Sequence, residues 1–456
     1  MTNSTIRVYN TLTKALDVFT PIQGKKVNFF VCGPTVYDYS HLGHAKTYTQ
    51  FDFIAKYLRW RGYDVFYLQN VTDLDDKIIK RAQERGIAFQ DLARQFEQAY
   101  MEDMQSLHNT AVDKFARATD HIEEIITQIQ ALVEKGYAYQ ISDGVYYEIG
   151  RFSGYGKLSG RTEIGEEDSV SRIDESAEKR GWNDFCLWKT SKPGEPAWDS
   201  PFGPGRPGWH IEDTAITETF FGPQYDVHGG AIDLIFPHHE AEIAQMEAAS
   251  GKTPLVRYWL HTGFLNINAQ KMSKSLGNFK TIRDVLKLYD YRTLRFFFIS
   301  SHYRTTVEFN ETVLDQAKNS VKRIDEFVFN IDPQYDDTGD QSAIEDLRCK
   351  VIEALDEDFN APRAIAALFD FIRNQNAKGK SGKRTDAFLR ELNGFFDFMN
   401  FTDDSPEAEI QALIDQRQAF RAQKDFKKSD EIRDKLTAMG IQLYDTKEGV
   451  KWRKVN

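Results

Sequence analysis

Between Val27 and Cys32 every residue but Asn28 is apolar, and the run stops at Gly33-Pro34, the pattern of a parallel strand buried on both faces. The segment Ala45–Arg61 then places Phe51, Ile54, Tyr57 and Leu58 at helical spacing, which predicts a helix that buries one stripe. Asp64–Gln69 reads as a second strand, followed by a polar helix over Asp76–Arg85. Strand, loop, helix, strand in this order is a βαβ unit of a doubly wound α/β fold.

After residue 115 the pattern changes. A helix at Asp120–Lys135 leads into short β-like pieces, Tyr137–Gln140 and Val145–Ile149, and the segment closes with Pro193–Gly208, an ordered return loop with five prolines and four glycines. Alternation then resumes: strands at Tyr225–His228 and Ile232–Phe236, a helix at Glu240–Ser250, and one strand over Trp259–Ile267. Beyond residue 312 the periodicity is helical at Glu311–Ile331, Ile344–Asp356, Ala361–Asn376 and Thr385–Phe398, with Gly379–Lys383 a polar link. The last stretch, from Pro406, has two charged helices and a short β-like end at Ile441–Tyr444 and Val450–Arg453. The expected organisation is a Rossmann-like doubly wound parallel sheet from residues 1–115 and 205–240, with an inserted domain at 116–204. Region 241–312 follows, then a helical bundle at 313–404 and a small mixed α/β segment at 405–456.

A chain of 456 residues accommodates these domains, and 41% hydrophobic with 28% charged residues is an ordinary globular balance. No apolar run approaches 18 residues and Met1–Leu16 lacks a signal-peptide core, so a cytoplasmic protein without membrane spans is expected. Three cysteines, Cys32, Cys186 and Cys349, make neither a disulfide framework nor a four-thiolate zinc site, so any metal here needs His or carboxylate ligands. The net charge of −11 disfavours a sequence-blind nucleic-acid binder. Yet Asp415–Asn456 holds eleven Lys/Arg and seven Asp/Glu, a net +4 against −15 for the rest.

Chemistry concentrates in two strings. His41-Leu42-Gly43-His44 lies where the first strand meets its helix, so free N–H groups and two imidazoles face whatever anion binds there; alone, the same histidines would also serve as helix caps. Lys271-Met272-Ser273-Lys274-Ser275 follows some 230 residues later, with two lysines spaced to straddle a triphosphate.

This pair of strings resembles the HIGH and KMSKS signatures of class I aminoacyl-tRNA synthetases. The blocks Phe30–His44, Asn70–Lys77, Gly208–Glu212, Phe236–Glu242 and Lys271–Asn278 resemble the cysteinyl-tRNA synthetase family in particular. The resemblance implies ATP-dependent activation of L-cysteine and transfer to tRNA(Cys), with Mg²⁺ on the ATP phosphates and the chain acting as a monomer. His41 and His44 would hold phosphates, and Lys271 and Lys274 would stabilise the transition state. Gly33, Thr72, Trp209 and Asp233 would line the substrate pocket, Asp233 facing the ATP ribose or the substrate amine. His210 would join the histidine cluster, and Cys186 and Cys349 would be structural. The family holds one zinc ion with two Cys, one His and one Glu. The matching positions are Cys32, Asp213, His238 and Glu242, so an aspartate stands where a second thiolate is usual. Formal ligand charge is unchanged by this exchange, and Zn–O bonds of about 2.0–2.2 Å are only slightly shorter than Zn–S at about 2.3 Å.

In the basic C-terminal segment, Arg417, Arg421, Lys424 and Lys428 recur at three- and four-residue intervals. A single helix would put them on one phosphate-contacting face, while Trp452 beside Arg453 would stack on an unpaired base. Two other readings stay open: a cysteine ligase acting on an amino-sugar acceptor, as in mycothiol synthesis, and a non-catalytic RNA-binding paralogue.

Overall fold

The structure is a computed structural model that describes residues 4–163, 176–267, 270–271, 280–332, 334–401, 408–446 and 449–454. The chain divides into two compact units, Met1–Met399 and Asn400–Asn456.

The first unit is organised around five parallel strands: β1 (Lys26–Val31), β2 (Asp64–Val71), β3 (Lys114–Arg117), β4 (Tyr225–Ala231) and β5 (Val256–Thr262). Their order across the sheet is β5-β4-β1-β2-β3. The chain therefore winds outward in one direction through β1, β2 and β3, then restarts on the other side with β4 and β5. The reversal lies between β1 and β4, and a doubly wound sheet opens its ligand crevice at the carboxyl ends of the strands there. Cys32, Gly33 and the HLGH string all follow the carboxyl end of β1.

Helix α1 (Leu42–Trp60) descends from that crevice. The apolar stripe read from the sequence is buried, but so are Lys46, Thr47, Thr49, Gln50 and Asp52, because further helices cover the face turned away from the sheet. All of these polar groups but Thr49, whose Oγ1 has no hydrogen bond among the described residues, have a specific partner. Gln50 donates to the Phe298 carbonyl, and Asp52 pairs with Arg295. The Lys46 ammonium donates to the carbonyls of Gly263 (2.6 Å) and Tyr303 (3.2 Å). Burial alone lowers the Lys46 pKa to about 7. The unfolded chain binds a proton there up to its ordinary pKa of about 10.4, so this lysine makes stability rise with pH between about 7 and 10.4. Lys46→Met should flatten the stability–pH curve across that window, by at most about 1.4 kcal/mol per pH unit, in urea unfolding at pH 7, 8.5 and 10.

Several sequence expectations are corrected by the packing. Ile232–Phe236 is not a strand: Ile232–Leu234 forms a 3₁₀ turn and Ile235–His239 a wide π turn. β4 pairs with β1 as far as Gly229↔Val31 and with β5 as far as Ala231↔Thr262, so no neighbouring strand remains to receive the next residues. The single strand expected over Trp259–Ile267 is broken at Gly263. A Cβ there would lie 2.5 Å from the backbone of Arg304 and Thr305, and the continuation Leu265–Ile267 pairs instead with Val307–Phe309. The return loop ends in Gly205–Pro207, the edge strand of a four-stranded antiparallel sheet formed with Ala138–Ile141, Gly144–Tyr147 and Phe185–Thr190. Proline is tolerated at such an edge. The sequence reading also lacked β3, the hairpin Arg7–Asn10/Ala15–Val18 and the helix Trp209–Phe221, here α2. Glu240–Ser250, here α3, is a helix as expected.

The helices Glu311–Phe329, Gln341–Asp356, Ala361–Lys378 and Lys383–Phe396 lie where the periodicity put them. In the second unit, Ala408–Ala422 and Phe426–Ala438 precede the hairpin Ile441–Thr446/Gly449–Lys454. The four basic positions do not share one helix. Lys424 sits in the turn between the two with a left-handed backbone (φ 59°), and Lys428 belongs to the second helix. Arg417 is 3% exposed and so leaves the outward-facing set, while Arg421, Lys424 and Lys428 are exposed. Trp452 is half-buried against Ile410, Leu413, Ile414, Leu436 and Ile441, so much of its ring serves this unit's small core. The side chain of Arg453 lies outside the described residues.

Candidate active site and metal-ligand cluster

A cavity of about 330 Å³ opens at the carboxyl ends of β1 and β4. Cys32, Gly33, His41, His44, Trp209 and Asp233 all line it, so one space gathers six of the positions singled out from the sequence. Thr72 is not among the lining residues. It is buried, and its backbone pairs with the loop wall, accepting from Val36 N–H and donating to the Pro34 carbonyl. The backbone of Lys271 pairs with Asn266 in a short antiparallel strand. The Lys271 side chain and Lys274 lie outside the described residues.

His41 is the N-cap of α1. Its Nδ1 accepts from His44 N–H at 3.3 Å, and the two rings stack with centroids 3.8 Å apart and 14° between planes. The capping role and the cavity-lining role are thus compatible: the cap fixes the ring at the start of α1, where His41, Gly43 and His44 line the cavity. The same turn is tied to the segment that follows the KMSKS string. Leu42 N–H donates to the Lys280 carbonyl, and Ile282 N–H to the Ser40 carbonyl.

Behind Cys32 lies a buried cluster. His238 Nε2 is 3.6 Å from Cys32 Sγ, 3.2 Å from Asp213 Oδ2 and 2.9 Å from Glu242 Oε1. The four groups are 6% (Cys32), 2% (Asp213), 1% (His238) and 1% (Glu242) exposed. Local structure explains the convergence. Cys32 directly follows β1, Asp213 lies in the second turn of α2, and His238 and Glu242 are one turn apart where the π turn runs into α3. Trp209 stacks on His238 at 4.2 Å with 13° between planes, and His210 Nδ1 lies 2.8 Å from His238 Nδ1. His210 itself is anchored through its carbonyl by Gln245. His210 therefore does join the histidine cluster, together with His228, His239 and His261, which the sequence reading did not single out. The sequence reading assigns no role to Asn70, which opens the block Asn70–Lys77.

The electrostatics of this cluster favour a cation. Burial pushes the Cys32 thiol well up, and the Asp213 and Glu242 carboxylates push it further. Burial raises Glu242 to about 8 against the pull of His238. Burial would lower His238, but the Glu242 and Asp213 carboxylates outweigh it and raise the imidazole to about 9. Among the described residues no lysine or arginine is ion-paired with Asp213 or Glu242. A buried thiol and two carboxylates, with one imidazole and no lysine or arginine paired to them among the described residues, are what a divalent ion would neutralise. Asp213, His238 and Glu242 bring one donor atom each within 4.8 Å of one another, and Cys32 adjoins them at 3.6 Å from His238 Nε2, a gap that bonds of about 2.0–2.3 Å to one ion would span. Cys32, Asp213, His238 and Glu242 therefore suit a zinc ion by donor type and burial, with Asp213, His238 and Glu242 grouped and Cys32 adjoining them at His238.

Comparisons with known proteins agree with this architecture. The model of the class I (C) tRNA synthetase catalytic domain family matches residues 18–319. A DALR domain model matches residues 350–400, and a cysteinyl-tRNA ligase anticodon binding domain model matches 403–453. The cysteine–tRNA ligase of Thermoplasma acidophilum is 46% identical, covering 98% of this chain and 100% of its own. That of Geobacillus thermodenitrificans is 44% identical over 99% of both. Among solved structures, methionyl-tRNA synthetase of Mycobacterium tuberculosis in complex with methionyl-adenylate superposes with a TM-score of 0.59, over 82% of this chain and 88% of that one. Its 16% identity makes this a likeness of fold. With catalytic, DALR and anticodon-binding regions all matched, the chain belongs to the cysteine–tRNA ligase family of class I aminoacyl-tRNA synthetases.

Proposed function

We infer that the protein activates L-cysteine with ATP, releasing pyrophosphate, and transfers the cysteinyl group to the 3′ end of tRNA(Cys). The observation that carries this reading is the convergence of Cys32, Asp213 and Glu242 on His238 Nε2, beside a cavity that also holds the HLGH string. The cysteine carboxylate attacks the α-phosphate of ATP, and the bond to pyrophosphate breaks. The chain's part in this is to position the reactants and to stabilise charge.

His41 and His44, at the start of α1, take the phosphates, which Mg²⁺ accompanies. Lys271 and Lys274 supply positive charge from the opposite string. Asp233, on the cavity wall, takes the substrate amine or the ATP ribose, and Trp209 covers the substrate side chain while holding His238 in plane. Cys32, Asp213, His238 and Glu242 would hold zinc, which binds a thiolate far better than a neutral hydroxyl and so tells cysteine from serine. Discrimination of that kind removes the need for an editing site.

The match of residues 403–453 to an anticodon-binding domain supports tRNA as the acceptor over an amino sugar, and Arg421, Lys424 and Lys428 are among the exposed cations there suited to its phosphates. Cysteine-dependent pyrophosphate exchange tests the first step and charging of tRNA(Cys) the second. Ending the chain at Met399 should leave exchange within about twofold and lower charging by a factor on the order of 10² or more. Exchange with serine as good as with cysteine, or equal loss of both activities on truncation, would contradict the reading.

A further inference from the structure

We propose that Asn70 is the residue that makes an aspartate work at position 213, by occupying one carboxylate oxygen and leaving the other for the metal. This inference rests on the zinc reading above. Asn70 is the penultimate residue of β2 and is 1% exposed. Its Oδ1 accepts from Gly33 N–H at 2.5 Å, and its Nδ2 donates to Asp213 Oδ1 at 2.6 Å. The orientation of the amide is settled by its partners, since a backbone N–H only donates and an ionised carboxylate only accepts. The other oxygen of Asp213, Oδ2, faces His238 Nε2 at 3.2 Å.

The two oxygens are thus divided between two tasks. A thiolate at position 213 would offer one sulfur, a weak acceptor, and would leave the Asn70 amide little to hold. A carboxylate brings a second oxygen into a buried site, and that oxygen needs a donor. Asn70 supplies it and fixes the rotation of the carboxylate. Asn70 is itself held in place at close range: a Cβ on residue 33 would lie 1.8 Å from the Asn70 carbonyl oxygen, so only glycine fits between β1 and β2 here. The amide thereby links the strand end that carries Cys32 to the helix that carries Asp213. Hydrogen-bond partners of metal ligands typically change metal affinity by about 10–100-fold when removed.

The test is a double-mutant cycle read as zinc affinity, by competition with a chromophoric chelator, and as the visible spectrum of the cobalt-substituted full chain. Asn70→Ala should weaken zinc by about 10–100-fold in the Asp213 chain and by less than about threefold in Asp213→Cys. Asn70→Ser, which keeps a short polar group but cannot span to Asp213, should behave the same way. The cobalt spectrum should shift on Asn70→Ala only when Asp213 is present. Equal weakening in both backgrounds would make Asn70 a scaffold residue and overturn the proposal. So would unchanged affinity in Asn70→Ala. A wild-type chain that takes up no zinc would overturn the ligand set itself, and the role of Asn70 with it, which separates the two failures.

Discussion

Replacing Asp213 with alanine should weaken zinc binding by a factor on the order of 10²–10³ and lower cysteine-dependent pyrophosphate exchange with it. The magnitude follows from the donor count. A structural zinc site with four protein ligands is worth about 10–16 kcal/mol at neutral pH, which as a guide gives each ligand about 2.5–4 kcal/mol. Alanine also strands the Asn70 amide, which donates to Asp213 Oδ1 at 2.6 Å. The contrasting substitution is Asp213→Cys. It keeps the formal ligand charge and restores the set usual in the family, so zinc should stay bound and cysteine should remain preferred over serine. Zinc quantified after gel filtration, with exchange assayed in parallel, checks both. Full zinc occupancy in Asp213→Ala would remove Asp213 from the ligand set. Loss of zinc in Asp213→Cys would show that the surrounding shell is built for oxygen alone.

That four-residue cluster shows where sequence reasoning reaches and where it stops. The candidate ligands came from the blocks that resemble the family, and the structure brings those four side chains together. Strands β1 and β2 were legible because burial on both faces makes a continuous apolar run. Helix α2 was not, although it carries Asp213. His210, Glu212, Asp213, Thr214 and Thr217 are all buried on it, so no polar face alternates with an apolar one. Strand β3 is short and lies at the sheet edge, with only Ala116 fully buried, which leaves too little pattern to read. Ile232–Phe236 failed for the opposite reason: its apolar residues suit a strand, but the sheet has no partner to give it. The basic run in the second unit misled in a third way. Regular spacing in sequence implies one face only while the helix lasts, and this one ends at Ala422.

The largest effect on stability should come from Arg295, which is fully buried in the helix Tyr291–Ile299. Its guanidinium donates to Asp52 on α1 at 2.9 Å, to Asn109 Oδ1 at 2.9 Å, and to the carbonyls of Leu107, His108 and Phe396. One side chain thus joins α1, the end of helix Phe89–Ser106 and the last turn of helix Lys383–Phe396. Arg295→Met fills much of the same volume but leaves buried carbonyls without donors and removes the guanidinium from Asp52. Breaking a buried pair from one side costs about 3–5 kcal/mol. Asp52 retains Lys56 at 2.9 Å and Ala111 N–H at 2.8 Å, so the loss should fall mainly on the carbonyls. Arg295→Lys should then recover little, because one ammonium cannot reach acceptors spread over three elements. Urea unfolding followed by tryptophan fluorescence should show both variants destabilised by more than about 2 kcal/mol. A loss below about 1 kcal/mol would mean that water or a rearranged side chain can replace the guanidinium, and that the base of α1 is held by packing alone.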